Sequence, residues 1–248
     1  MRVSVPPLAD RRRESRFFST LAVAMAIIAI GGFAPTYYAS GWFSASGSYA
    51  AGERLVVLHS ALVTAWFGLL LLQATLVRKG FMQLHRSIGF GGILLAVLLV
   101  MVGLVSSSLA ASRPAAFIET ALPTLVFLLV PLIDILLFAV FVGLAYVARR
   151  GRKSHKRWIV LATMNLLGAP VARLLPATWL QDIGLLPVFL VVDLLLIALA
   201  TWDLRSLGRV HPVTLWGGLI LIASQPLRLL VAETASWEWL AGWVTRLS

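Results

Sequence analysis

The sequence predicts an all-α, polytopic membrane bundle of seven transmembrane helices, with the N-terminus inside and the C-terminus outside. Three observations carry that expectation. Of 248 residues, 60% are hydrophobic and only 12% charged, with a mean hydropathy of +0.92, whereas a soluble domain carries roughly a quarter charged residues. The apolar residues are gathered in runs close to the ~20 that cross a hydrocarbon core. The 21 Lys and Arg residues, which give a formal net charge of +11, concentrate in short segments between alternate runs.

Residues 1–16 form a polar segment carrying Arg2, Arg11, Arg12, Arg13 and Arg16. The apolar run that follows, Phe17 to about Ala39, exceeds the 7–15 residues of a cleaved signal peptide and reads as an uncleaved signal anchor. Further spans are expected at Leu55–Val77, Ile88–Ala110, Thr124–Val147, Trp158–Ala177, Ile183–Thr201 and Pro212–Ala232. The membrane domain is thus 17–232. The tail, 233–248, places Trp237, Leu240, Val244 and Leu247 at helical spacing, as in a helix lying on the outer surface.

Orientation follows from the loops. Segments 1–16, 78–87, 148–157 and 202–211 carry 5, 3, 6 and 2 basic residues, and the outer loops and tail only Arg54, Arg113 and Arg246. Basic loops stay on the cytoplasmic side. Membrane orientation therefore accounts for the positive charge, so lipids and not nucleic acid are the expected partners. Tyr37, Tyr38, Trp42 and Trp179 fall at the outer interface, where aromatic rings concentrate.

After a three-helix unit, the spans form a tandem hairpin repeat. The fourth span carries Pro131 and Asp134, the sixth Pro187 and Asp193; His155 and His211 precede the fifth and seventh spans, which carry Pro170 with Arg173 and Pro226 with Arg228. The order Asp, His, Pro, Arg occurs twice. An ionised side chain at mid-bilayer costs roughly 2.5–3.5 kcal/mol. Asp134 and Asp193 are therefore expected to face the interior as a polar core with Arg173 and Arg228. Such a core either locks helix packing or marks an ion, proton or solute pathway, and the sequence leaves both open. Kinks are expected at Pro170 and Pro226, with freed carbonyls lining a small polar cavity.

His59, Trp66 and Gln73 make a seven-residue stripe on the second span, the pattern of an interhelix seam. His85, His155 and His211 begin the third, fifth and seventh spans at one depth. They are candidate ligands for a b-type haem or a metal, or interfacial histidines bonded to headgroups and loop carbonyls. The stretch from His59 to His85 resembles the paired helices of two-haem transmembrane cytochromes b. The fourth span has no histidine to partner His59, so the resemblance implies at most an inner haem between His85 and His155 or His211.

Cysteine is absent, which removes thiolate and disulfide chemistry. Gly89, Gly91 and Gly92 and Gly217 and Gly218 lie within spans, where small residues let helices approach, so they cradle no phosphate. Ser106, Ser107 and Ser108 have no visible base, and no catalytic residue is assigned. The motifs GFAPTYY (32–38), LHSALVTAWFGLLLLQATLV (58–77), LHRSIGFGG (84–92), HKRWIVLAT (155–163), DLRSLGRVHPVTLWGG (203–218) and SQPLRLL (224–230) together resemble a family of uncharacterised bacterial seven-helix membrane proteins. That resemblance implies a bacterial inner membrane and no reaction.

Overall fold

The computed structural model describes residues 8–34, 51–111 and 124–246. Tyr37, Tyr38, Trp42 and the loop 113–123 lie outside these residues. The described elements are helical: α1 Leu8–Phe33, α2 Ala51–Lys79, α3 Met82–Ala111, α4 Thr124–Val147, α5 Arg152–Asn165, α6 Gly168–Leu174, α7 Ala177–Ile183, α8 Leu186–Leu207, α9 Pro212–Ala232 and α10 Ala235–Arg246. Six of them, α1, α2, α3, α4, α8 and α9, are long and apolar enough to cross a membrane. Their outward faces leave Ile27, Phe90, Leu94, Met101, Leu136 and Leu194 more than half exposed. So much apolar surface is the mark of a multi-pass membrane protein, whose outer faces meet lipid.

Local chemistry sets the helix ends. Arg78 and Lys79 occupy the last turn of α2, where cations complement the helix dipole, and Gly80 then turns the chain into α3 with φ +83°, a conformation glycine adopts without strain. His211 caps α9 by accepting the Val213 N–H at 3.1 Å, and Pro212 fills the first helical position. Pro187 likewise stands in the first turn of α8, so it starts a helix and does not bend one. α1 begins at Leu8 and runs through the arginine cluster, so residues 8–16 of the polar segment and the first span share one helix.

The fifth expected span differs from its sequence reading. It is built in two pieces, α5 and α6, separated by a turn at Leu166 and Leu167. Pro170 supplies the reason: it has no N–H to offer the carbonyl four residues back, Leu166, and its ring crowds that carbonyl. Pro226, expected to kink the seventh span, lies inside an uninterrupted α9.

α1 to α5 pack each against the next, and α1 returns to touch α5 and α6. α9 lies against α4, α5 and α8, and α8 also packs on α5, α6 and α7. α5 is central, with every residue from Val160 to Asn165 buried. Two close crossings depend on glycine. A Cβ on Gly217 of α9 would lie 2.4 Å from Leu161 Cδ1, and one on Gly32 of α1 would lie 2.2 Å from the Pro170 carbonyl oxygen. α10 folds back on α3, α4 and α9. It buries Trp237 and Ala241 beside Leu128 and Leu129 and leaves Trp239 and Trp243 exposed.

Candidate functional site

Two polar clusters are built on α4, α5, α8 and α9. One lies at the end of the bundle that carries the basic loops, one turn into α8 and α9. There Arg157 of α5 and Asp203 of α8 form an ion pair with neither side chain exposed. Arg157 Nε donates to both Asp203 oxygens at 3.1 and 3.2 Å, and its Nη2 also donates to Oδ1. Thr214 donates its hydroxyl to Oδ2 at 2.6 Å, and the His211 backbone N–H donates to the same oxygen at 3.1 Å. The carboxylate thus accepts from α5, from α9 and from the residue that caps α9, and leaves neither oxygen idle.

α1 is tied to the same end. Lys156 pairs with Glu14 and stands 4.2 Å from the centre of the Phe18 ring, while Phe17 stacks on Trp202 with ring centres 4.5 Å apart. Burial lowers the Lys156 ammonium to about 8 although Glu14 pulls the other way. Burial, followed by the charge of Arg157, also lowers His211 below the ordinary imidazole value.

The second cluster is central. Arg228 Nη1 donates to Asp134 Oδ1 at 2.8 Å, joining α9 to the middle of α4. Helical side chains lean toward the N-terminus of their helix, and Arg228 does so. Its Nε donates to the Ser224 carbonyl and its Nη2 to Ser224 Oγ, both at 3.1 Å. Asn165, the last residue of α5, donates through Nδ2 to the Asp134 backbone carbonyl. Asp134 Oδ2 is turned to Gly168, the first residue of α6, where a Cβ would lie 3.5 Å from it. The helix break therefore abuts the carboxylate. On α8, Asp193 Oδ1 accepts from Gln225 Nε2 at 2.8 Å, and the Phe189 ring, one turn earlier, faces the Arg228 guanidinium at 5.7 Å.

Of the expected polar core, Asp134, Arg228 and Asp193 are brought to one place and Arg173 is not. Arg173 donates to the Ala169 carbonyl of its own helix at 3.0 Å and lies over the Phe33 ring at 5.3 Å. The break at Leu166–Leu167 resets the helical phase, so the direction of Arg173 cannot be read from that of α5.

The α2 stripe faces α3 to α5. Trp66 Nε1 donates to Thr163 Oγ1 at 3.2 Å and its ring meets Phe138 edge-on at 4.8 Å. His59 lies beside Gly103 of α3. In the amide orientation that satisfies both its ends, Gln73 accepts the Gly89 N–H at 3.1 Å and donates to the His85 carbonyl at 3.1 Å and to His85 Nδ1.

The bonds of the three candidate ligand histidines fix their tautomers. His155 Nδ1 lies 2.8 Å from the Ala145 carbonyl, which only accepts, so Nδ1 carries a proton and, in the neutral ring, Nε2 holds the lone pair. That is how a metal-ligating histidine is usually held. His85 Nδ1 accepts from Gln73 and His211 Nδ1 from Val213, so when neutral both carry the proton on Nε2. Among the described residues, no group of three or more His, Asp or Glu side chains is arranged to hold a metal ion.

The Arg157–Asp203 pair has no counterpart in the sequence reading, which placed both residues in loops. A signal existed: Asp203 is the only acid in segments 78–87, 148–157 and 202–211. No family model, curated protein or solved structure matches this chain.

Proposed function

We propose that this chain is a seven-span protein of the bacterial inner membrane, N-terminus inside, that moves a small ion or solute through the central cluster. The fifth crossing is α5 and α6 together. α10 lies at the outer face with Trp239 and Trp243 at headgroup level, as aromatic rings prefer. The hairpins of the fourth to seventh crossings are two diverged copies of one unit.

One observation carries the transport reading: a broken helix abuts a buried Asp–Arg pair. Non-helical backbone at membrane depth is tolerated where it is buried or lines a polar passage, and broken helices of this kind form ion and substrate sites in transporters. The Leu166 carbonyl, deprived of a helical donor by Pro170, and Asp134 Oδ2 give that passage its acceptors.

The test is flux into proteoliposomes under an imposed potassium diffusion potential, followed by trapped pH- and sodium-sensitive dyes and by osmotic swelling. Wild-type protein dissipates an imposed gradient faster than protein-free vesicles, and Asp134→Asn removes the difference. Wild-type vesicles as tight as protein-free ones in every readout would leave a structural or accessory membrane protein.

A b-type haem carrier is the second reading, favoured by the free Nε2 of His155. It requires His85 or His211 to exchange its tautomer to become the other axial ligand. A Soret band that shifts on reduction and is lost in His155→Ala would establish it.

A further inference from the structure

The central cluster holds two carboxylates and one guanidinium. Arg228 is committed to Asp134, and the other ion pairs of the described residues, Arg157–Asp203 and Lys156–Glu14, lie at the basic end. Asp193 is left with an amide, Gln225, in place of a cation. One negative charge is therefore uncompensated among the described residues of the cluster, where an unpaired ion is costly in lipid.

We propose that Asp193 is a proton-binding site, and that the ion handled by the central cluster is the proton. The amide suits both forms of the acid. Gln225 Nε2 donates to the carboxylate, and once Asp193 takes up a proton its new O–H donates back to Gln225 Oε1, which closes a two-bond acid–amide pair. No other bond is made or broken, and release restores the carboxylate. Asp134 differs in kind, because its partner is the Arg228 guanidinium and not an amide.

The charged groups on the elements packed against α8, away from the basic end, are few. They are Arg228 on α9, Arg173 on α6, turned toward Phe33, and Asp182 on α7. α5 offers Asn165, and its cations lie at the basic end with Asp203. Asp134 on α4 completes the set across Arg228. Protonation of Asp193 leaves Asp134 and Arg228 as a neutral pair, so the loaded cluster carries no net charge and the empty one carries one negative charge.

This rests on the transport reading for its physiological use but is tested without flux. Infrared difference spectra of the full-length protein in lipid, recorded across a pH titration, report protonated carboxyl groups through their C=O stretch. Wild type is expected to gain such a band, Asp193→Asn to lose it and Gln225→Leu to shift it. If Asp193→Asn does not fold, wild type and Gln225→Leu alone decide, because only a carboxyl bonded to that amide moves its band when the amide is removed. A band kept in Asp193→Asn, a band unmoved by Gln225→Leu, or no band in wild type would overturn the assignment. A normal titration in a protein without flux would leave the proton site standing and remove the transport reading.

Discussion

The two polar clusters are made of the same chemistry and differ in how completely they are satisfied. At the basic end, Asp203 accepts from Arg157, Thr214 and the His211 backbone, and both ions are sealed from solvent. In the centre, Asp134 shares one oxygen with Arg228 and turns the other to Gly168, and Asp193 accepts from an amide and pairs with no cation among the described residues. A fully paired buried ion is a rivet, since removing one partner strands the other charge. A partly paired one keeps capacity for a ligand. The basic-end cluster is therefore read as the staple of α5, α8 and α9, and the central cluster as the working site.

The largest expected effect breaks the staple. Asp203→Ala strands Arg157 in a site with no exposure and should cost about 3–5 kcal/mol, seen as loss of folded protein on gel filtration in detergent. Replacing the pair together, as Arg157→Met with Asp203→Leu, should recover most of that loss. No recovery would mean that the cluster does more than cancel its own charges.

Next comes Pro170→Ala, which sharpens the contrast from the other side. It gives the Leu166 carbonyl back its donor and lets α5 and α6 join. Thermal stability should hold or rise, while flux falls to the level of protein-free vesicles. A variant that transports normally would separate the helix break from function.

Smaller effects follow. Trp66→Phe deletes the bond to Thr163 and should cost about 0.5–1.5 kcal/mol without changing flux, which marks the α2 stripe as a seam. Lys156 should show the weakest effect, as a dependence on pH. Its folded value of about 8 lies below its ordinary 10.5, so the folded protein holds that proton less tightly than the unfolded chain. The resulting penalty is constant below about pH 8 and is relieved as pH rises toward about 10.5. Thermal midpoints across that window should therefore rise more in wild type than in Lys156→Met. Acylation of Lys156 should also rise steeply as pH passes about 8, where its ammonium loses its proton.

Much of this architecture was legible in the sequence, because hydropathy and length alone mark the spans. Six of the seven expected spans correspond to long apolar helices, and intramembrane Asp134, Asp193 and Arg228 were flagged by their cost in lipid. The parts that were not legible have identifiable causes. Periodicity gives the face of one continuous helix, so the turn at Leu166–Leu167 hid where Arg173 would point. Arg157 lay in a run of six basic residues within nine, where topology alone explains a cation and nothing singles out the one that is buried. Gln225, a neutral residue beside Pro226, carries no charge signal, and its role emerges only when α8 and α9 are set side by side.

The most direct measurement is proton flux in matched proteoliposomes of Asp193→Asn and of the double variant Arg157→Met, Asp203→Leu, beside wild type. The account expects Asp193→Asn to be as tight as protein-free vesicles and the double variant to conduct like wild type. The reverse order, with Asp193→Asn active and the double variant silent, would contradict it and move the working site to the basic end.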